Sequence, residues 1–98
     1  MKNDLDLDFD LSEIQVDNKT QKGLLDGLDD ILTNLLEPLD GDKWKDTSNR
    51  SMVLYGLRRN QETIQALLRC LKSTTESQAN KLEGVYKKYI ESGDQSCN

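Results

Sequence analysis

Hydrophobic residues recur at helical spacing in two stretches of the chain, residues 19–37 and residues 48–91. In the first stretch, seven apolar residues between Leu24 and Leu36 form one wide face. Pro38 ends this stretch, because a residue that precedes proline is disfavoured in the α conformation. The pattern predicts a helix over residues 19–37 that is capped by Asn18 together with Gln21.

The second stretch carries a 3.5-residue repeat from Leu54 to Tyr89. Eight of its eleven positions are apolar, which is typical of a coiled-coil seam. A continuous helix of ~44 residues would be about 65 Å long. This exceeds what a compact chain needs, so part of the seam is expected to meet another copy or another protein. The predicted oligomer seam consists of Leu54, Leu57, Ile64, Leu68, Leu71, Leu82, Val85 and Tyr89.

Two all-α architectures are consistent with these stretches. If residues 48–91 form one coiled-coil-like helix, that helix folds against residues 19–37 as a helical hairpin. If it breaks near residues 73–76, where Ser73 and Glu76 match a capping box, three helices form a small bundle. Residues 92–98 are predicted to be a frayed tail.

A linker at residues 38–47 separates the two stretches. Asp40-Gly41 predicts a turn, and Thr47 or Ser48 is suited to cap the following helix. Trp44 is expected either to cover the end of the helical core or to anchor a protein or a nucleic-acid base.

Residues 1–18 follow a different pattern, because aspartates and apolar residues alternate from Asp4 to Leu11. Such alternation places the apolar side chains on one face of a strand, although aspartate is a poor strand former. We interpret the segment as acidic and flexible, either a tail or a motif that adds to a sheet edge or enters an apolar groove of a basic partner. The partner-binding residues predicted here are Leu5, Leu7, Phe9, Leu11, Asp6 and Asp8.

Neither a metal site nor a cofactor site is predicted. The alternating aspartates resemble a calcium loop, but that loop requires glycine at its sixth position and glutamate at its twelfth. Counting from Asp4 places Phe9 and Gln15 there, and counting from Asp6 fits no better. The chain has no histidine, no glycine-rich phosphate loop and no nucleophile elbow, so neither an enzyme nor a small-molecule substrate is expected.

Charge divides the chain of 98 residues into two different halves. Residues 1–42 hold twelve acidic and three basic residues, a net charge of −9, whereas residues 43–98 have a net charge of +4. This asymmetry predicts attraction between the halves, within one chain or between copies, or an acidic surface for a basic partner.

Nucleic acid is the alternative partner. The candidate phosphate contacts on the long helix are Arg58, Arg59, Arg69 and Lys72. A nucleic-acid-associated regulator or a viral DNA-packaging type of oligomer would use these residues. The acidic half could instead imitate DNA and inhibit a DNA-binding protein.

The remaining features favour an intracellular protein, cytoplasmic and without a membrane span. The longest apolar run has four residues, and the acidic N-terminus does not resemble a signal peptide. The two cysteines lack a metal-ligand spacing. The leading hypothesis is therefore a non-enzymatic protein–protein interaction or assembly module, such as an adaptor, assembly factor or chaperone-like protein. It would oligomerise through the seam and dock a partner with its N-terminal segment.

Overall fold

The computed structural model describes residues 4–91, with side chains described for residues 6–90. Two long helices, α1 (Asp4–Leu36) and α2 (Thr47–Tyr86), account for most of this part. Two 3₁₀ turns, Glu37–Leu39 and Lys43–Lys45, lie between them, and a π-helical turn, Lys87–Glu91, follows α2. No strand occurs among the described residues, so the predicted all-α class is confirmed.

Helix α1 begins much earlier than the sequence pattern suggested. Residues 4–18 belong to α1, so the prediction of a flexible or strand-like segment there, with a helix beginning at residue 19, was wrong. Helical apolar spacing continues towards the N-terminus through Ile14 and Leu7. Acidic residues in a first turn, such as Asp6, also interact favourably with the helix dipole.

One face of α1 is shielded from solvent, and its residues are spaced alternately by three and four. In heptad letters these residues occupy the a and d positions. Leu28 is buried, and the other members are half-buried. The complete face consists of Leu7, Asp10, Ile14, Asp17, Gln21, Leu24, Leu28, Ile31 and Leu35.

The face of α2 that is shielded within the chain overlaps the predicted oligomer seam at half of the seam residues. The a positions of the shielded face, which include Leu57 and Ile64, also belong to the predicted seam. The other predicted members lie one residue beyond the observed d positions, and Leu54, Leu68 and Leu82 are 71 %, 50 % and 50 % exposed. The observed face of α2 and its following turn consists of Val53, Leu57, Asn60, Ile64, Leu67, Leu71, Thr74, Gln78, Lys81, Val85 and Lys88.

Helix α2 is continuous through residues 73–78, which favours the hairpin over the three-helix bundle. Its start is capped by Asp46, whose Oδ1 accepts a hydrogen bond of 2.8 Å from the backbone N–H of Ser48. The cap therefore lies just before the residues predicted for it. Asp46 satisfies one of the first-turn N–H groups that have no partner within the helix.

The linker between the helices is held against the first turns of α2. Gly41 has a φ of +58°, so the turn predicted at Asp40-Gly41 is confirmed. The Arg50 guanidinium donates hydrogen bonds to the carbonyl oxygens of Trp44 (2.8 Å) and Lys45 (2.9 Å). Arg50 therefore fixes the backbone that carries the tryptophan.

The described residues fall into two compact units. Unit 1 contains the residues up to Lys22 together with those from Lys72 onwards, and unit 2 is Gly23–Leu71. Many shielded positions of unit 1 are polar, whereas those of unit 2 are nearly all apolar.

A close approach between the helices of unit 2 occurs at Gly56. A Cβ atom on residue 56 would lie 2.7 Å from Cδ2 of Leu35, so a side chain would displace that leucine. Gly84 shares the heptad position of Gly56, yet nothing lies within 4 Å of a Cβ atom there. The repeated glycine therefore does not mark a repeated close approach.

We expect Gly56→Ala and Gly27→Ala to have different effects on the free energy of unfolding. Nothing opposes a methyl group at Gly27, so this substitution should stabilise the helix by about 0.5–1 kcal/mol. At Gly56 the same gain is offset by displacement of Leu35, and stability should stay level or fall. Urea denaturation followed by circular dichroism measures both changes, and equal gains would contradict the close approach.

Candidate functional site

Leucines that the helix pair leaves half-buried or exposed gather at the e positions of unit 2. In α1 these are Leu25 and Leu32, and in α2 they are Leu54 and Leu68. Leu25 and Leu68 are about half exposed, and Leu54 is more exposed still. We call the surface formed by these four leucines, with Leu39 and Trp44 described below, the leucine side.

The e positions of both helices lie on the same side because a short linker joins the helices as antiparallel neighbours. Reversing one helix places e opposite e and g opposite g across the seam. Leu39, in the 3₁₀ turn that follows α1, lines a cavity together with Leu54. This cavity has a volume of about 310 Å³.

Trp44 extends the leucine side at its linker end. The side chain is 52 % exposed and lines the same cavity, beside Val53 and Leu57. A second groove of about 390 Å³ continues along α2 and shares Leu54 and Leu57 with the first. Trp44 therefore borders an open apolar surface next to the buried Val53.

The opposite side of unit 2 carries small or polar residues at the g positions. They include Gly27 and Asn34 on α1 and Gly56, Thr63 and Cys70 on α2, of which Cys70 is an exposed free thiol. Unit 2 thus differs between its two flanks, with leucines at most e positions and small or polar residues at the g positions. This asymmetry marks the leucine side as the stronger candidate for an interaction surface.

Unit 1 holds its helices together with ion pairs in the seam. Asp17 Oδ2 lies 3.0 Å from Lys81 Nζ and accepts a hydrogen bond of 3.3 Å from Ser77 Oγ. Asp10 Oδ2 lies 3.2 Å from Lys88 Nζ and accepts a hydrogen bond of 3.0 Å from the Tyr89 hydroxyl. Each aspartate is thus shared between an ammonium and a hydroxyl group.

The spacing of these pairs favours one register of unit 1. Asp10 and Asp17 are seven residues apart on α1, and their partners Lys88 and Lys81 are also seven apart. Both pairs therefore occupy equivalent positions of consecutive heptads. A shift along the seam would separate both pairs, so charges in a seam select a register.

The pKa values around Asp10 reflect this contact. The pKa of Lys88 is raised above its ordinary 10.5, first by the hydrogen bond with Tyr89 and then by that with Asp10. Loss of solvent is the main cause that raises the pKa of Tyr89 above 10.0, and Asp10 raises it further. The native state therefore holds both protons more tightly than the unfolded chain does.

The predicted partner-binding residues at the N-terminus do not share one face. Leu7 is half-buried in the seam, Asp6 and Asp8 are exposed, and Phe9 and Leu11 are 64 % and 46 % exposed. The side chain of Leu5 lies outside the described residues. On a helix, neighbours that alternate with period two point to different sides.

Sequence reasoning missed an exposed apolar pair on α1. Phe9 and Val16 are seven residues apart, and Val16 is 62 % exposed, nearly as much as Phe9. Exposed acidic residues lie beside Phe9, namely Asp6 three positions before it and Glu13 four positions after it. The i, i+7 spacing of Phe9 and Val16 would have revealed this pair if the segment had been predicted to be helical.

The four basic residues proposed for nucleic acid are exposed but not aligned. Glu62 lies between Arg58 and Arg69 on their side of α2, and Arg59 is rotated about 100° from Arg58. Phosphate binding favours a basic stripe without intervening acids. Lys72, in unit 1, is exposed as well. Nucleic-acid binding by these residues stays a prediction.

The described part of the chain offers neither a metal centre nor a membrane span. No cluster of three or more cysteine or carboxylate ligands is present in that part, and no helix there has the length and apolar character to cross a bilayer. Scans against protein-family models, curated proteins and solved structures found no match to this chain.

We expect alkaline pH to destabilise the chain through the Asp10 contact. Groups whose pKa is raised on folding stabilise the native state below the unfolded pKa, and this contribution is lost as pH rises through the folded pKa. For Lys88 and Tyr89 the loss occurs above about pH 10. Asp10→Asn removes a cause of both shifts, so its stability should fall less steeply with pH.

Urea denaturation followed by circular dichroism from about pH 8 to pH 12 measures this slope. Asp8→Asn is the matched control, because Asp8 is exposed on the same helix. Parallel curves for Asp10→Asn and the unmodified chain would show that the contact does not shift these pKa values.

Proposed function

We propose that this chain is a non-enzymatic protein–protein interaction and assembly module whose main binding surface is the leucine side of unit 2. One observation carries the proposal. Leu25, Leu54, Leu68 and Trp44 are each at least half exposed on one side of a helix pair. Large apolar patches with polar surroundings are typical of binding sites.

The leucine side has the form that a helical partner requires. Leu54, Leu57 and Ile64 line the groove together with the longer polar side chains of Arg58, Gln61 and Gln65. Leu68 lies beyond the groove on the same side of α2, two heptads from Leu54. Alternating a and e residues of this kind pack against a second helix in bundles of more than two helices. The module would therefore assemble with other helical chains through this surface.

We expect the double substitution Leu54→Glu with Leu68→Glu to prevent assembly. Burying each leucine contributes about 1.5–3 kcal/mol, so the loss of both should weaken association at least about 100-fold. Sedimentation over a range of micromolar concentrations measures the association constant.

Met52→Glu with Ala66→Glu is the matched control for this experiment. These two residues have the same spacing on α2 and are exposed on its c positions, away from the leucine side. The control should associate as the unmodified chain does. A wild-type chain that stays monomeric throughout would contradict assembly through this surface.

The N-terminal part of α1 is proposed as a second docking element. Because residues 4–18 are helical, it would enter an apolar groove as a helix rather than add to a sheet edge. Phe9 and Val16 would be its apolar anchors. The acidic residues beside Phe9, Asp6 and Glu13, suit a groove with a basic rim.

We expect Phe9→Ala with Val16→Ala to remove a partner without unfolding the helix. Affinity capture from the native cell, read by mass spectrometry, should show partners that bind the unmodified chain and not this variant. Ser12→Ala with Lys19→Ala is the matched control, since these exposed residues have the same spacing on a neighbouring column of α1. Identical sets of captured proteins for all variants would contradict the docking role.

A further inference from the structure

We infer that the leucine side of unit 2 is occupied by the same side of a second copy, placed so that α1 of each copy lies on α2 of the other. This inference rests on the proposed function and specifies its partner. Two antiparallel helix pairs that stack face to face can do so in two ways. Either each helix meets its equivalent, or each meets the other helix of the second copy.

Charged residues at the edges of the leucine side distinguish these two arrangements. The b positions follow the e positions around each helix, and in unit 2 they carry Asp29 on α1 and Arg58 on α2. Both side chains are exposed. Among the described residues, Asp29 has no ion-pair partner, and Arg58 has only a hydrogen bond of 3.4 Å to Gln61.

Only the exchanged arrangement brings opposite charges together. It places the Asp29 edge of each copy against the Arg58 edge of the other, at both margins of the interface. Pairing of equivalent helices would place Asp29 against Asp29 and Arg58 against Arg58. Like charges at an interface are unfavourable and disfavour that alternative.

The other charged residues of unit 2 also favour the exchanged arrangement. Its part of α1 has three acidic residues and no basic residue, and its part of α2 has four basic residues and one acidic residue. Each copy therefore presents helix segments with net charges of −3 and +3. The exchanged arrangement places each segment beside its complement.

The positions of Asp29 and Arg58 along the helices allow them to meet. Leu35 and Gly56 mark one level of the helix pair, because a Cβ at residue 56 would contact that leucine. Arg58 lies two residues beyond this level, away from the linker, and Asp29 lies six residues beyond it. The difference is about 6 Å along the axis, within reach of an arginine side chain.

This arrangement also ends the assembly at two copies. A two-fold axis parallel to the helices relates the copies, and each uses its leucine side once. The product is a closed four-helix packing in which every neighbouring pair of helices is antiparallel.

A charge exchange between two variants tests the arrangement. Asp29→Arg and Arg58→Asp each place like charges at both margins, so each variant alone should associate about tenfold more weakly than the unmodified chain. When the two variants are mixed in equal amounts, each mixed dimer has an arginine opposite an aspartate at both margins. The mixture should therefore recover the original affinity. Sedimentation at moderate salt measures all three association constants.

Asp30→Arg and Arg59→Asp are the matched controls. They make the same charge changes one residue further along, at exposed c positions outside the margins. They should associate like the unmodified chain, separately and mixed. Variants of Asp29 and Arg58 that bind no more weakly than these controls would overturn the inference.

Recovery in the mixture supports contact between copies, because a contact within one chain cannot be restored by a second chain. Weakened variants that do not recover when mixed would overturn the exchanged arrangement. The proposed function would survive that result if Leu54→Glu with Leu68→Glu still prevents association. A monomeric unmodified chain would instead overturn both.

Discussion

Two packed helices shield mainly the a and d positions of each other, and this limit governs the surfaces of the chain. Leu28 and Val53 are the buried hydrophobic residues of the described part. Further leucines lie at e positions, which a single neighbouring helix cannot cover. The leucine side of unit 2 is the direct result, and its burial requires additional helices.

The seam meets different requirements in the two units. In unit 2 it is apolar, and the glycine at position 56 lets the helices approach closely. In unit 1 it contains Asp10 and Asp17, each paired with a lysine of the opposite segment. Apolar contacts supply most of the stabilisation, whereas charged pairs add little net stability but disfavour other registers.

The charge asymmetry acquires a structural meaning from the helix pair. Within unit 2, α1 has a net charge of −3 and α2 a net charge of +3, and one charge of each sign, Asp29 and Arg58, lies at a margin of the leucine side. Apolar area provides the affinity of such a surface, while the arrangement of charges selects the orientation of the partner. Asp29 and Arg58 can perform this selection in the exchanged pairing.

The sequence by itself determined the all-α class, the end of α1 before Pro38 and the turn at Asp40-Gly41, because these depend on local backbone preferences. The tertiary structure decided the helical state of residues 4–18 and the face of α2 that is shielded. Two overlapping heptad repeats share the a positions of α2, and within unit 2 both are largely apolar. Only a packed neighbour selects between them, since burial depends on where the opposite helix lies. That choice left Leu54 and its equivalents exposed for a partner.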